Sequence, residues 1–168
     1  MGRLGDHFPE EVRRQYVTGS MVPGQVLRLR WVFPDKTKEK RVLLVCTEPE
    51  PLVLIMNSKP SEYLRRDPER RQCELHLSKA DHDFLDHDSF LNCFQVHSLG
   101  DQPDTEDQIA KSTARLMGVC PDATKRRVVS AVAKSVAISP AQKRAIAAAL
   151  LSGSVGEGDP KPARGSGM

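Results

Sequence analysis

Long apolar runs are missing from this sequence. The longest, Val42 to Cys46 and Leu52 to Met56, are strand-sized and far below the roughly 20 residues that a membrane-spanning helix requires. Cysteine is sparse and scattered. Cys46, Cys73, Cys93 and Cys120 form no CxxC pair and no signal-peptide pattern precedes them, so the expectation is reduced thiols in a cytoplasmic protein. Aromatic residues reach only 5%, against 39% hydrophobic and 28% charged, a composition that fits one ordinary soluble globular domain with tails. A chain of 168 residues can bury a sizeable core, roughly two-thirds of its unfolded surface, without help from metal or disulfides. No P-loop, GxGxxG, nucleophile elbow or internal repeat is present, which removes the familiar nucleotide-binding and acyl-transfer signatures.

Charge of one sign is also modest, at a formal +3, but the signs segregate. From Arg28 to Arg41 six basic residues (Arg28, Arg30, Lys36, Lys38, Lys40, Arg41) face Asp35 and Glu39, a local +4. From Glu74 to Asp88 only Lys79 faces Glu74, Asp81, Asp83, Asp86 and Asp88, a local −4. Such a pattern suits a polyanion-binding surface with a negative border, and equally two solvated faces.

The periodicity predicts an α+β chain in four parts. Residues 1–22 form an N-terminal arm with a short helix over Pro9 to Val17, where Pro9 suits a first helical position and Glu10 and Glu11 favour the positive end of the helix dipole. Residues 23–99 are β-rich. Gln25 to Phe33 alternates, with Leu27, Leu29, Trp31 and Phe33 on a buried face and Arg28 and Arg30 on the other. Pro34 to Glu39 is a lysine-rich turn, and Arg41 to Thr47 and Leu52 to Asn57 are core strands joined through Glu48-Pro49-Glu50-Pro51. Lys59 to Gln72 is a polar loop with a helical turn near Ser61 to Arg66, able to cover a site. Cys73 to Leu77 and Ser89 to Val96 complete five short strands, which together point to a small antiparallel barrel.

Residues 100–152 change to a helical period. One helix starts at Asp104 or Thr105, carries Ile109, Thr113, Leu116 and Met117, and stops at Gly118. A second follows Pro121 with Val128, Val129, Val132 and Val136 on one face, and a third opens on Ser139, Pro140 and Gln142, a capping box. These helices either pack on the barrel or form an interface. Residues 153–168 have the composition of a disordered tail.

Two constellations carry possible chemistry. His76, His82, His87 and His97 lie near Asp81, Asp83, Asp86, Asp88 and Cys93, but without HxxxH, HxH or CxxC spacing, so no metal or other cofactor is assigned. Cys93 reads as a small core side chain rather than a nucleophile. The basic set is more informative. Arg28 and Arg30 share a strand face, Lys36, Lys38, Lys40 and Arg41 adjoin it, and Asn57, Ser58 and Lys59 end the third strand, which an antiparallel barrel can bring close. Cations around a hydroxyl and an amide suit a phosphodiester, and equally Arg28 and Arg30 could only solvate an outer face.

Three segments in 23–99 resemble the MazF/PemK family of toxin endoribonucleases. They are the glycine-led strand Pro23-Gly24-Gln25-Val26-Leu27, the arginine before an apolar strand in Lys40-Arg41-Val42-Leu43-Leu44-Val45, and the acidic-serine step Asp86-His87-Asp88-Ser89-Phe90-Leu91. The resemblance implies an SH3-like barrel of a toxin-antitoxin system, homodimeric, countered by an antitoxin protein, cleaving single-stranded RNA without a metal by attack of the 2′-hydroxyl. It implies that Arg41 stabilises the scissile phosphate and can act as the acid, while Ser58 helps bind or deprotonate. Arg28, Arg30, Lys38, Lys40, Asn57 and Lys59 would then hold the RNA backbone. The chain departs from the family's pattern at Val42, usually proline, and at Gln25, usually acidic. The alternative is a catalytically inactive barrel that binds nucleic acid or a partner protein.

Overall fold

The computed structural model describes residues 21–102, Thr105, Gln108 and residues 115–158. The expected helix over Pro9 to Val17, most of the one beginning near Asp104, and the last ten positions of the tail lie outside the described residues. The chain is α+β. Strands β1 (Gln25–Val32), β2 (Thr37–Cys46) and β3 (Leu52–Asn57) lead into the short helices α1 (Glu62–Arg65) and α2 (Pro68–Arg71). Strands β4 (Glu74–Leu77), β5 (Ser89–Asn92), β6 (His97–Ser98) and β7 (Arg115–Val119) follow, and then helices α3 (Asp122–Ala133) and α4 (Pro140–Gly158). All pairings are antiparallel, in the order β4-β5-β3-β2-β1-β7, with β6 joining β3. The sheet curls into a half-barrel with the C-terminal helices against it. Among the described residues no helix is long and apolar enough to cross a membrane.

Strand β2 is the hub, ten residues long, paired with β1 along one edge and with β3 along the other. Its apolar half is buried on both faces. Leu43 and Val45 join Val26, Leu54, Met56 and Leu91 beneath Val128, Val132, Ile146 and Leu150 of the two long helices. Val42 and Leu44 face the other way, onto Leu27, Leu29, Trp31, Val53 and Ile55. Each such side chain taken out of water contributes roughly 1.5–3 kcal/mol, so the helices belong to the same core as the sheet. The Ser139 capping box forms as expected, with Ser139 Oγ accepting from Gln142 N at 3.1 Å and Gln142 Oε1 from Ser139 N at 3.2 Å.

Several expectations are corrected. The lysine-rich segment is mostly strand: the turn is confined to Pro34 and Asp35, between Phe33 and Lys36, whose backbones bond each other, and β2 already begins at Thr37. The helix expected to end at Gly118 yields over Arg115–Val119 to β7, which pairs with the free edge of β1. The same apolar spacing serves either period, and unpaired strand groups at that edge favour the strand. Strand β5 stops at Asn92, short of Val96, because Asn92 Oδ1 accepts from Phe94 N at 2.8 Å and turns the chain. Helix α3 ends at Ala133, so Val136 leaves the valine face and is 83% exposed. Helix α4 continues to Gly158, past the point where a tail was expected from Gly153. Alanine and leucine favour the helix over Ala145 to Leu151.

Gly24 sets the entry into β1. Its φ of +99° lies where side chains with a Cβ are strained, its N–H bonds Leu44 O, and its carbonyl accepts from Cys120 N. A Cβ would also meet Lys125 Cε at 2.7 Å. Gly24→Ala should therefore lower stability by about 1–3 kcal/mol, measured by urea denaturation, while Gly100→Ala, whose Cβ would meet only Ser98 Oγ at 3.5 Å, should change little.

Candidate functional site

Strand β3 is four residues shorter than β2, and the register places all of the difference at one end. Its ladder with β2 runs from Leu52 to Met56, opposite Cys46 to Arg41, so Thr37 to Lys40 of β2 pair with β1 alone. On the far side of β3, Asn57 pairs with Phe90, which brings the residues just before β5 level with those just after β3. A polar cleft of about 200 Å³ occupies the gap, lined by Lys38, Glu39, Lys40, Arg41, Met56, Asn57, Ser58, His87 and Ser89. Three sequence-distant segments meet there because the central strand ends before its neighbours do.

Arg41 does not stand at the start of its strand, where the sequence placed it. It lies inside β2, between β1 and β3, with its side chain 16% exposed. Nη2 bonds Asp86 Oδ2 at 2.7 Å, and Nε is buried without a hydrogen-bond partner among the described residues. A guanidinium has five N–H groups, so Arg41 keeps Nη donors for an incoming acceptor. Arg28 is its direct cross-strand neighbour, a like-charge pairing that is unfavourable on its own. Glu39 relieves it by holding Arg28 Nε at 2.9 Å, as Asp86 does for Arg41.

The remaining expected residues divide. Ser58 and Lys38 are exposed in the cleft wall. Lys40 leaves β2 on the face opposite Arg41 by strand alternation and reaches the end of β3, where Nζ donates to Asn57 Oδ1 at 2.7 Å. Burial pulls its ammonium below the ordinary lysine value, and repulsion from Lys38 and Lys36 adds to this. Arg28, Arg30 and Lys59 do not line the cleft. Arg28 and Arg30 continue the sheet face that carries Arg41, and Lys59 is exposed just after Ser58.

His87 and Ser89 were missed as site residues, although they stand in the Asp86-His87-Asp88-Ser89 step. The signal was there in the strand lengths, since pairing a six-residue β3 against β5 aligns Ser58 with this step. His82, by contrast, is buried and consumed in packing, its Nδ1 donating to Ser78 O and its Nε2 accepting from Thr124 Oγ1, each at 2.7 Å. Among the described residues no three His, Cys, Asp or Glu side chains gather as metal ligands. All four cysteines are buried thiols. Burial pushes Cys120 up to about 12 and Cys93 higher still, so neither is a thiolate nucleophile at neutral pH.

Comparison with protein-family models, with curated proteins and with solved structures finds no match.

The hydrogen bond from Arg41 holds the exposed Asp86 carboxyl below the usual aspartate value, with the charge of Arg41 next in effect. Because folding depresses this group, its contribution is complete above the unfolded value of about 3.9 and is lost as pH falls through the lower folded value. A carbon-detected titration should place the Asp86 midpoint below about 3.9, and Arg41→Gln should return it to that ordinary value.

Proposed function

We propose that the protein is a metal-independent endoribonuclease of the MazF/PemK toxin type, an SH3-like barrel that cuts single-stranded RNA in the cleft at the end of β3. The observation that carries this reading is the convergence of Arg41, Ser58, Asn57, Lys38 and Lys40 on one polar cleft of about 200 Å³. Two of the three resembling segments, Lys40 to Val45 and Asp86 to Leu91, supply four of its lining residues. The cleft is shallow and cationic on its β2 side, which suits a backbone phosphate better than an apolar ligand.

The chemistry asks little of the protein. The nucleophile is the substrate's own 2′-hydroxyl, so the site must bind the phosphate, spread the charge that builds on its oxygens and move protons. Arg41 offers its free Nη donors to a non-bridging oxygen, in a fork fixed on its other side by Asp86. Ser58 can donate its hydroxyl to a second oxygen. Lys38 provides screened positive charge at the rim, and Arg28, Arg30 and Lys59 extend the basic track to neighbouring phosphates. The family resemblance adds a homodimer and an antitoxin partner to this reading.

Incubation of a long single-stranded RNA with the protein in EDTA tests it. Discrete cuts leaving 5′-hydroxyl and cyclic 2′,3′-phosphate ends are expected, and Arg41→Lys, which keeps the charge and loses the fork, should cut at least about 100-fold more slowly. Intact RNA that still binds in a salt-dependent way would leave a binding barrel without activity. For binding itself, Lys38→Ala should reduce the slope of log K against log salt by about 0.7, one phosphate contact on a single strand.

A further inference from the structure

Resting on that ribonuclease reading, we infer that His87 is a catalytic residue of the cleft, the group that takes the proton from the attacking 2′-hydroxyl. The other candidate bases in or beside the cleft are occupied or too weak. Glu39 is held by Arg28 at 2.9 Å, and Asp86 by Arg41 at 2.7 Å. Ser58 is an ordinary hydroxyl, a poor proton acceptor at neutral pH, and Lys40 Nζ donates to Asn57. The phosphate partners and the proton acceptor must be different groups, because Arg41 has no lone pair to offer.

His87 fits the vacancy through its tautomer. Nδ1 lies 2.8 Å from the carbonyl oxygen of Asp88. A carbonyl can only accept, so Nδ1 carries the hydrogen, and the neutral ring keeps its lone pair on Nε2. Among the described residues Nε2 has no partner, and the ring is exposed where it lines the cleft beside Arg41, Asn57, Ser58 and Ser89. Backbone orientation of one imidazole nitrogen to present the other is how histidine is prepared for acid–base work. Histidine is the side chain most often used for proton transfer in general acid–base catalysis.

The step balances with RNA and water alone. The 2′-oxygen gives its proton to Nε2 and forms the O2′–P bond, the P–O5′ bond breaks, and the 5′-oxygen takes a proton from water. The imidazolium then returns its proton to the hydroxide so formed, leaving a cyclic 2′,3′-phosphate and a 5′-hydroxyl.

His87→Ala is the test, with single-turnover cleavage, RNA binding and addition of free imidazole measured together. The side chain is exposed and makes one hydrogen bond, so thermal unfolding should be close to the parent's. Cleavage should fall at least about 100-fold with RNA affinity unchanged, and free imidazole should restore part of the rate. Cleavage by His87→Ala at the parent's rate, or a loss matched by an equal loss of RNA binding, would overturn the assignment while leaving the ribonuclease reading in place. A parent protein that never cuts RNA would overturn both.

Discussion

The unequal length of two paired strands governs this molecule. Ten residues of β2 face six of β3, and the apolar ends are the ones aligned. Valine, leucine and cysteine from Val42 to Cys46 are buried on both faces, so the hydrophobic effect fixes the register there. A shift by one residue would turn Leu43 and Val45 away from the helices. The polar half of β2 is then left to overhang, and the cleft is what the overhang encloses. Core and site are two consequences of one register.

That arrangement explains how the charges coexist. Arg28 and Arg41 stand opposite each other on adjacent strands, which would be unfavourable without the carboxylates of Glu39 and Asp86. Both ion pairs are partly exposed, so each is weakened by solvent and salt. Their use is to orient the guanidinium groups rather than to hold the fold. Under the proposed function the basic stretch supplies the cations, and Asp86 of the acidic stretch aims Arg41.

The buried polar groups outside the cleft do structural work instead. His82 ties the turn after β4 to Thr124 at the start of α3, and Ser135 Oγ donates to Phe94 O at 2.6 Å, each closing a long-range contact between sheet and helices. Paired in this way they satisfy groups that would otherwise be costly to bury. Histidines of one sequence cluster thus divide, His82 as a core pin and His87 as an exposed ring whose Nε2 has no partner among the described residues.

Strands β1 and β3 could be read nearly to the residue, since alternation and apolar runs are local patterns, and the Ser139 capping box is a local hydrogen-bond exchange. Strand β7 and the early end of β5 could not, because the first depends on a free edge of β1 and the second on the turn made by Asn92. For the site, the sequence by itself determined which chemical groups were available: Arg41, Ser58, Asn57 and the lysines. Only the tertiary structure decided which of them meet. Register and strand length brought His87 and Ser89 to the cleft and left Arg28, Arg30 and Lys59 beside it, since side chains 30 residues apart become neighbours only through pairing that no local pattern encodes.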